Sequence, residues 1–161
     1  MGKFKKENYS KILLILSILI LTSVFIIEYI FGYQPCNLCI IERFPYALAL
    51  IILLLKYIFK KDQIFYSVLL ILIFLFSMLI SIYHLGIEQG FIDESSVCAS
   101  EGLDLTTKKD ILNSLQDLNL SCKDVAFKIF GLSLTTYNIF ISLFMLILSI
   151  KIYLLNYDIK K

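Results

Sequence analysis

Apolar residues run along this chain in four long blocks, separated by shorter polar stretches. Ile12 to Ile30 carries a single charge, Glu28, near its far end. Ile40 to Phe59 carries Glu42 and Arg43 at one end and Lys56 near the other. Ile64 to Ile82 carries none. Ile129 to Ile150 carries none either, and Asn138 is its one strongly polar side chain. Each block has about the 20 residues a helix needs to cross the hydrocarbon core of a bilayer. Lipid offers no hydrogen bonds, so a crossing segment must satisfy its own backbone, and helices do that where open strands do not. The pattern therefore predicts an all-α membrane protein, a four-transmembrane-helix bundle forming a single domain over residues 1–161. The spans fall at about 12–30, 40–59, 64–82 and 129–150, with connections 31–39 and 83–128 on one side of the membrane.

Two of the blocks need a further argument. The uncharged part of the second, Phe44 to Leu55, is short and contains Pro45. A proline inside a helix removes a hydrogen bond, but in the first turn it removes none. Pro45 is therefore expected in a first turn. The first block follows basic residues, as a secretory leader does. It is too long for a leader core, and no small-x-small cleavage motif follows it, so it reads as a retained helix.

Composition agrees with the pattern. The chain of 161 residues is 59% hydrophobic and only 17% charged, with a mean hydropathy of +0.84. Soluble domains carry about a quarter charged residues. Charge placement adds an orientation. Lys3, Lys5, Lys6 and Lys11 precede the first span; Lys56, Lys60 and Lys61 lie at the turn between the second and third; Lys151, Lys160 and Lys161 follow the fourth. Lysine-rich connections face the cytoplasm. Four crossings put both termini on that face, and the connections 31–39 and 83–128 outside.

All four cysteines, Cys36, Cys39, Cys98 and Cys122, lie in those external connections. Outside the cytoplasm disulfides persist, so an even cysteine count there points to disulfide chemistry. Cys36 and Cys39 form a C-x-x-C within PCNLCIIER. A ring that small restrains little chain entropy, so it is a weak staple and a better redox pair. Arg43 follows Cys39 by four residues, one turn on if the helix starts near Cys39, while Glu42 points elsewhere on that helix. A guanidinium favours the thiolate, which is the nucleophile. Alone, Arg43 reads equally well as an interfacial residue snorkelling to water; beside the C-x-x-C it reads as a working partner.

Cys98 and Cys122 flank an acidic stretch. Within it, Ile111, Leu112, Leu115 and Leu118 form one apolar stripe, and Thr107 with Asp110 resembles a capping pair. This predicts a short amphipathic helix in the second external loop, lying on the membrane or folded as a small lid. The pair could be a structural crosslink, but a second pair at a helix end allows relay by thiol–disulfide exchange. Structural zinc calls for two close pairs, and only one is close here, so no metal is expected. His84, the chain's one histidine, follows the third span at the depth of Arg43, where a cofactor would need polar contacts and a proton path. Glu88 and Gln89 are weaker candidates.

Taken in order, PCNLCIIER opening a second membrane helix, YH after the third, two distant loop cysteines and FGLS before the fourth helix resemble the DsbB family of bacterial disulfide bond formation proteins, over roughly Ile12 to Ile150. The C-x-L-C-x-x-E-R string is the specific part. The resemblance implies a protein-disulfide:quinone oxidoreductase in the bacterial inner membrane, with periplasmic cysteine loops. Its cofactor would be a quinone, ubiquinone or menaquinone, at the outer edge of the bundle. Its partner would be a DsbA-like thioredoxin-fold oxidase, with membrane lipid around it and no nucleic acid. By position, Cys36 and Cys39 match the quinone-linked pair, with Cys39 facing the ring and Arg43 contacting it. Cys98 and Cys122 match the loop pair, Cys98 forming the mixed disulfide with DsbA. His84 falls near the family's quinone-site histidine. The lack of tryptophan departs from many members. A vitamin K epoxide reductase-like protein would carry its C-x-x-C near the last helix, and here it opens the second. The rival of another class is a small membrane scaffold or metal-handling protein whose disulfides never exchange.

Overall fold

The computed structural model describes residues 2–59, 62–94, 98, 121–123, 128–129 and 131–160. Among these, four spans are long and apolar enough to cross a membrane: Glu7–Tyr29, Asn37–Ile58, Gln63–Glu88 and Leu134–Asp158. The protein is thus an all-α membrane protein, as its hydropathy pattern predicts. The stretch proposed as an amphipathic helix, 107–118, lies outside the described residues.

Helix α1 spans Gly2–Tyr29, a short α2 spans Asn37–Ile41, α3 spans Phe44–Ile58, and α4 spans Gln63–Glu88. A two-stranded antiparallel ribbon follows, β1 (Lys128–Ile129) with β2 (Leu132–Ser133), and α5 spans Leu134–Lys160. The ribbon occupies the start of the fourth apolar block, which the hydropathy pattern assigns to helix. Gly131, at φ +82°, makes the turn between its strands, and such a conformation is natural only for glycine.

The second span is one hydropathy block but two helices. Pro45 has no N–H to give the carbonyl of Ile41, four residues back, so α2 stops at Ile41 and α3 starts afresh. Pro45 sits in the first turn of α3, as its chemistry demands. Helix α4 runs past Ile82, because Gly90 is the first residue placed to end it. Gly90 takes φ +75°, and the N–H groups of Phe91 and Ile92 fold back to the carbonyl of Gly86. His84 and Glu88 are therefore helical, one turn apart on one face.

Helices α4 and α5 share the most extensive interface of the bundle, and α1 and α3 pack beside them. Leu13, Tyr46, Leu53, Phe74, Met145 and Ile152 form the buried centre. The outer faces present Ile15, Leu19, Phe76, Phe140 and Phe144 to the surroundings, as suits lipid. Small and polar side chains also line the α4–α5 seam. Ser77 and Ser142 pair at 2.9 Å, and Asn156 donates to Ser67 at 2.7 Å. In lipid such bonds link helices that have no hydrophobic reason to associate.

Candidate functional site

The outer end of the bundle gathers the chemistry. Pro35 delivers the chain to Cys36, whose extended backbone (φ −70°, ψ 167°) makes it the N-cap of α2. Its sulfur accepts from the Cys39 N–H at 3.3 Å, the capping role usually taken by an oxygen. The turn that follows raises Cys39 beside it, and the two sulfurs lie 2.7 Å apart as free thiols. Cys36 is buried, while Cys39 is partly exposed.

Helix α4 brings His84 to this pair. Its Nε2 lies 3.5 Å from the Cys36 sulfur, and the ring is 1% exposed. On the other side, Nδ1 lies 3.1 Å from Oε1 of Glu42. A carboxylate only accepts, so Nδ1 carries a proton and donates, and Nε2 is turned to the sulfur. Cys39 chiefly, and His84 after it, hold the Cys36 thiol below its ordinary range against its burial.

Glu42 is the residue the sequence reading misplaced. On a helix, positions three and four beyond Cys39 both lie near its face, and packing against α4 and α5 brings Glu42 in. Glu42 is 8% exposed and takes a second bond from Asn138 Nδ2 on α5, at 3.0 Å. The Asn138 amide also donates to Ser81 at 2.8 Å, and its oxygen accepts from the Tyr46 hydroxyl. Thr135, at the start of α5, donates to Glu88 at 2.6 Å and lies 3.3 Å from His84 Nδ1. The site is thus carried by α2, α3, α4 and α5 together. Asn138, in an otherwise apolar span, had an intramembrane signal in its polarity alone.

Arg43 turns the opposite way, toward α1. Its guanidinium pairs with Glu28 and stands 5.5 Å from the centre of the Phe25 ring. Its Nε is buried with no hydrogen-bond partner among the described residues. Arg43, Cys39, Glu42, Tyr46 and Asn138 all border one cavity of about 220 Å³, closed on its far side by apolar residues of α1. Arg43 and Cys39 thus meet as walls of one space.

The second cysteine pair lies on the opposite flank. Cys98 and Cys122 form a disulfide, and each is 2% exposed. They share one apolar cluster with Cys36, Leu38 and Ile87, and Cys39 and Tyr83 pack against it. Glu94 holds the Cys122 end in place: its carboxylate accepts from the Ser121 hydroxyl and from the Lys123 N–H at 3.1 Å. The bond from Ser121 is the chief reason that carboxyl sits below its ordinary range. All six residues singled out from the sequence, Cys36, Cys39, Arg43, His84, Cys98 and Cys122, come to one end of the bundle.

A family model described as disulfide bond formation protein DsbB matches residues 6–152. The chain belongs to the DsbB family. A DsbB-like arrangement also accounts for two cysteine pairs meeting at a membrane edge, since the family's work is disulfide bond formation. An uncharacterized protein of Rickettsia prowazekii (strain Madrid E) is 35% identical over 151 residues, covering 89% of this chain and 87% of its own. No solved structure matches the chain.

Proposed function

We propose that this chain is the membrane thiol oxidase of its compartment, taking electrons from a DsbA-like dithiol and passing them through both cysteine pairs to a quinone. One observation carries the reading. The C-x-x-C pair is two-faced: Cys36 packs with the loop disulfide, and Cys39 borders the cavity that Arg43 also lines.

The sequence of exchanges follows from that placement. A partner thiolate attacks Cys98, and Cys122 leaves as thiolate. The partner's second thiol closes on the first, releasing Cys98, so the loop pair gains two electrons. One loop thiolate then attacks the oxidised inner pair at Cys36, which is buried in the same cluster, and Cys39 leaves toward the cavity; the second loop thiol closes on the first and releases Cys36, so the inner pair gains the two electrons. A quinone bound there supplies a two-electron, two-proton acceptor. The residues fit such a group: the Arg43 Nε is a buried donor without a partner, suited to a carbonyl oxygen, and the cavity walls are mostly apolar. The space is below the ~300 Å³ of a drug-sized pocket, so it takes a ring and leaves any long tail in lipid. His84 stands at the Cys36 sulfur, with Glu42 behind it on Nδ1, to hold or pass protons. A DsbA-like partner is itself strongly oxidising, at about −120 mV, which a membrane quinone can accept from and a glutathione pool cannot. The lysine distribution supports an inner-membrane protein with cytoplasmic termini and periplasmic cysteine loops.

The test is quinone absorbance with the purified protein and a reduced DsbA-like oxidase. Wild-type chain consumes quinone. Cys39→Ser and Cys98→Ser each abolish consumption, and Arg43→Ala raises the quinone concentration needed by about tenfold, or ~1.4 kcal/mol. Cysteines that resist exchange with any dithiol would instead mark a scaffold with passive crosslinks.

A further inference from the structure

The inner cysteine pair and His84 form a cluster whose chemistry extends beyond proton handling. One donor atom from each of Cys36, Cys39 and His84 lies within 4.8 Å of the other two. Two sulfurs and one imidazole nitrogen are a ligand set for a borderline-soft cation. The sequence, with one close cysteine pair, gives no reason to expect a metal; the fold adds His84 to that pair.

Three features go beyond proximity. First, the tautomer suits a ligand. Glu42 holds Nδ1 at 3.1 Å, which leaves Nε2 to present its lone pair toward the sulfurs. A carboxylate on the far nitrogen of a ligating histidine is the usual support of such a site. Second, the spacing suits a metal. Tetrahedral zinc with Zn–S of ~2.3 Å and Zn–N of ~2.0 Å sets sulfur and nitrogen ~3.5 Å apart and the two sulfurs ~3.8 Å apart. Cys36 and His84 already stand at 3.5 Å. The sulfurs, at 2.7 Å, need only to part by about 1 Å, and Cys39 borders an open cavity into which it can turn. Third, a further donor stands beside them. Glu88 is one turn from His84, its side chain 6% exposed, with Oε1 3.8 Å from Nε2. Thr135 bonds Oε1, but Oε2 is buried with no hydrogen-bond partner among the described residues. A buried carboxylate oxygen without a donor is costly, and a cation beside it removes that cost.

We propose that the reduced Cys36–Cys39 pair, with His84 and with Glu88 as fourth donor, captures a thiophilic divalent cation of the zinc class. Each thiol gives up its proton on binding, and no electron is transferred. Held as ligands, the sulfurs cannot close on one another or reach the loop pair. Occupancy therefore arrests the relay reversibly in its reduced state. The arrest rests on the proposed function; the capture does not.

The experiment is a titration of the full chain in detergent or nanodiscs, reduced with a phosphine under anaerobic conditions, with Co²⁺ as probe and Zn²⁺ as competitor. Reduced wild type takes up one Co²⁺ with the strong visible bands of a tetrahedral thiolate site, and Zn²⁺ bleaches them. Oxidised protein shows no such bands. The double variant Cys98→Ser with Cys122→Ser retains them, whereas Cys39→Ser and His84→Gln each lose at least tenfold in affinity. Glu42→Gln, acting through His84, loses about tenfold. Far-ultraviolet circular dichroism confirms that each variant is folded, and Cys39→Ser decides if His84→Gln is not. Bands that persist in oxidised protein or in Cys39→Ser, or that vanish in the loop double variant, overturn the site. Metal-free wild type assayed for quinone consumption separates the two readings. Turnover without cobalt uptake overturns the capture alone, and cobalt uptake without turnover overturns the oxidase alone.

Discussion

Glu42 shows how far a residue's role depends on its neighbours in space. The motif that contains it is readable in the chain, and so is the pairing of its two cysteines. Its orientation is not, because Glu42 and Arg43 both lie near the face of Cys39, and only the partners on α4 and α5 decide which of them enters the site. Once turned inward, Glu42 fixes the ring of His84 and accepts from Asn138. A hydrogen bond to a charged group contributes about 1.5–3 kcal/mol. Glu42→Gln keeps the size and removes the charge. Thiol-exchange turnover is expected to fall by about tenfold or more, with the helical signal unchanged. An unaltered rate would show that Glu42 only fills space. Arg43 illustrates the same limit from the other side. Its position one turn beyond Cys39 was plain, but its pairing with Glu28 requires α1 to pass alongside, which no local pattern discloses.

At the scale of elements, hydropathy located the membrane helices and misjudged their ends. It measures transfer to lipid, so it stops where polar residues begin, as at Tyr83 and His84. Helix continuation depends on backbone hydrogen bonding, and α4 has nothing to end it before Gly90. The fourth block erred in the other direction: Ile129 to Ser133 is apolar, yet the turn at Gly131 makes it a ribbon. Between α3, α4 and α5, Asn138 ties Tyr46, Ser81 and Glu42 together. Interhelical hydrogen bonds in membranes average about 0.6 kcal/mol and reach about 1.7. Asn138→Leu is expected to cost about 1–2 kcal/mol, read as a lower unfolding midpoint in mild detergent, and to slow exchange by freeing Glu42. A variant of wild-type stability would mean that apolar packing alone holds α5 in register.

For the whole molecule, the inner cysteine pair and His84 lie at the end of the bundle opposite the junction of α3 and α4. The prediction at this scale is topological. In a chain whose native cysteines are replaced by serine, Phe91→Cys and Tyr57→Cys place single thiols at opposite ends, on residues 87% and 74% exposed. An impermeant maleimide is expected to label the first in intact spheroplasts and the second only after lysis. The reverse result would put the thiol chemistry on the reducing side and remove the basis for the proposed function.

The chain alone determined what composition and local chemistry control: four apolar spans, their charge asymmetry, a C-x-x-C at a helix start and a proline that must begin a helix. These follow from transfer free energy and backbone geometry, which act over a few residues at a time. The tertiary structure decided which of the scattered polar side chains meet. Residues 28, 42, 84 with 88, and 135 with 138 come from four separate stretches of the chain, and their contacts exist only because the helices pack together in a medium where an unpaired buried polar group is costly.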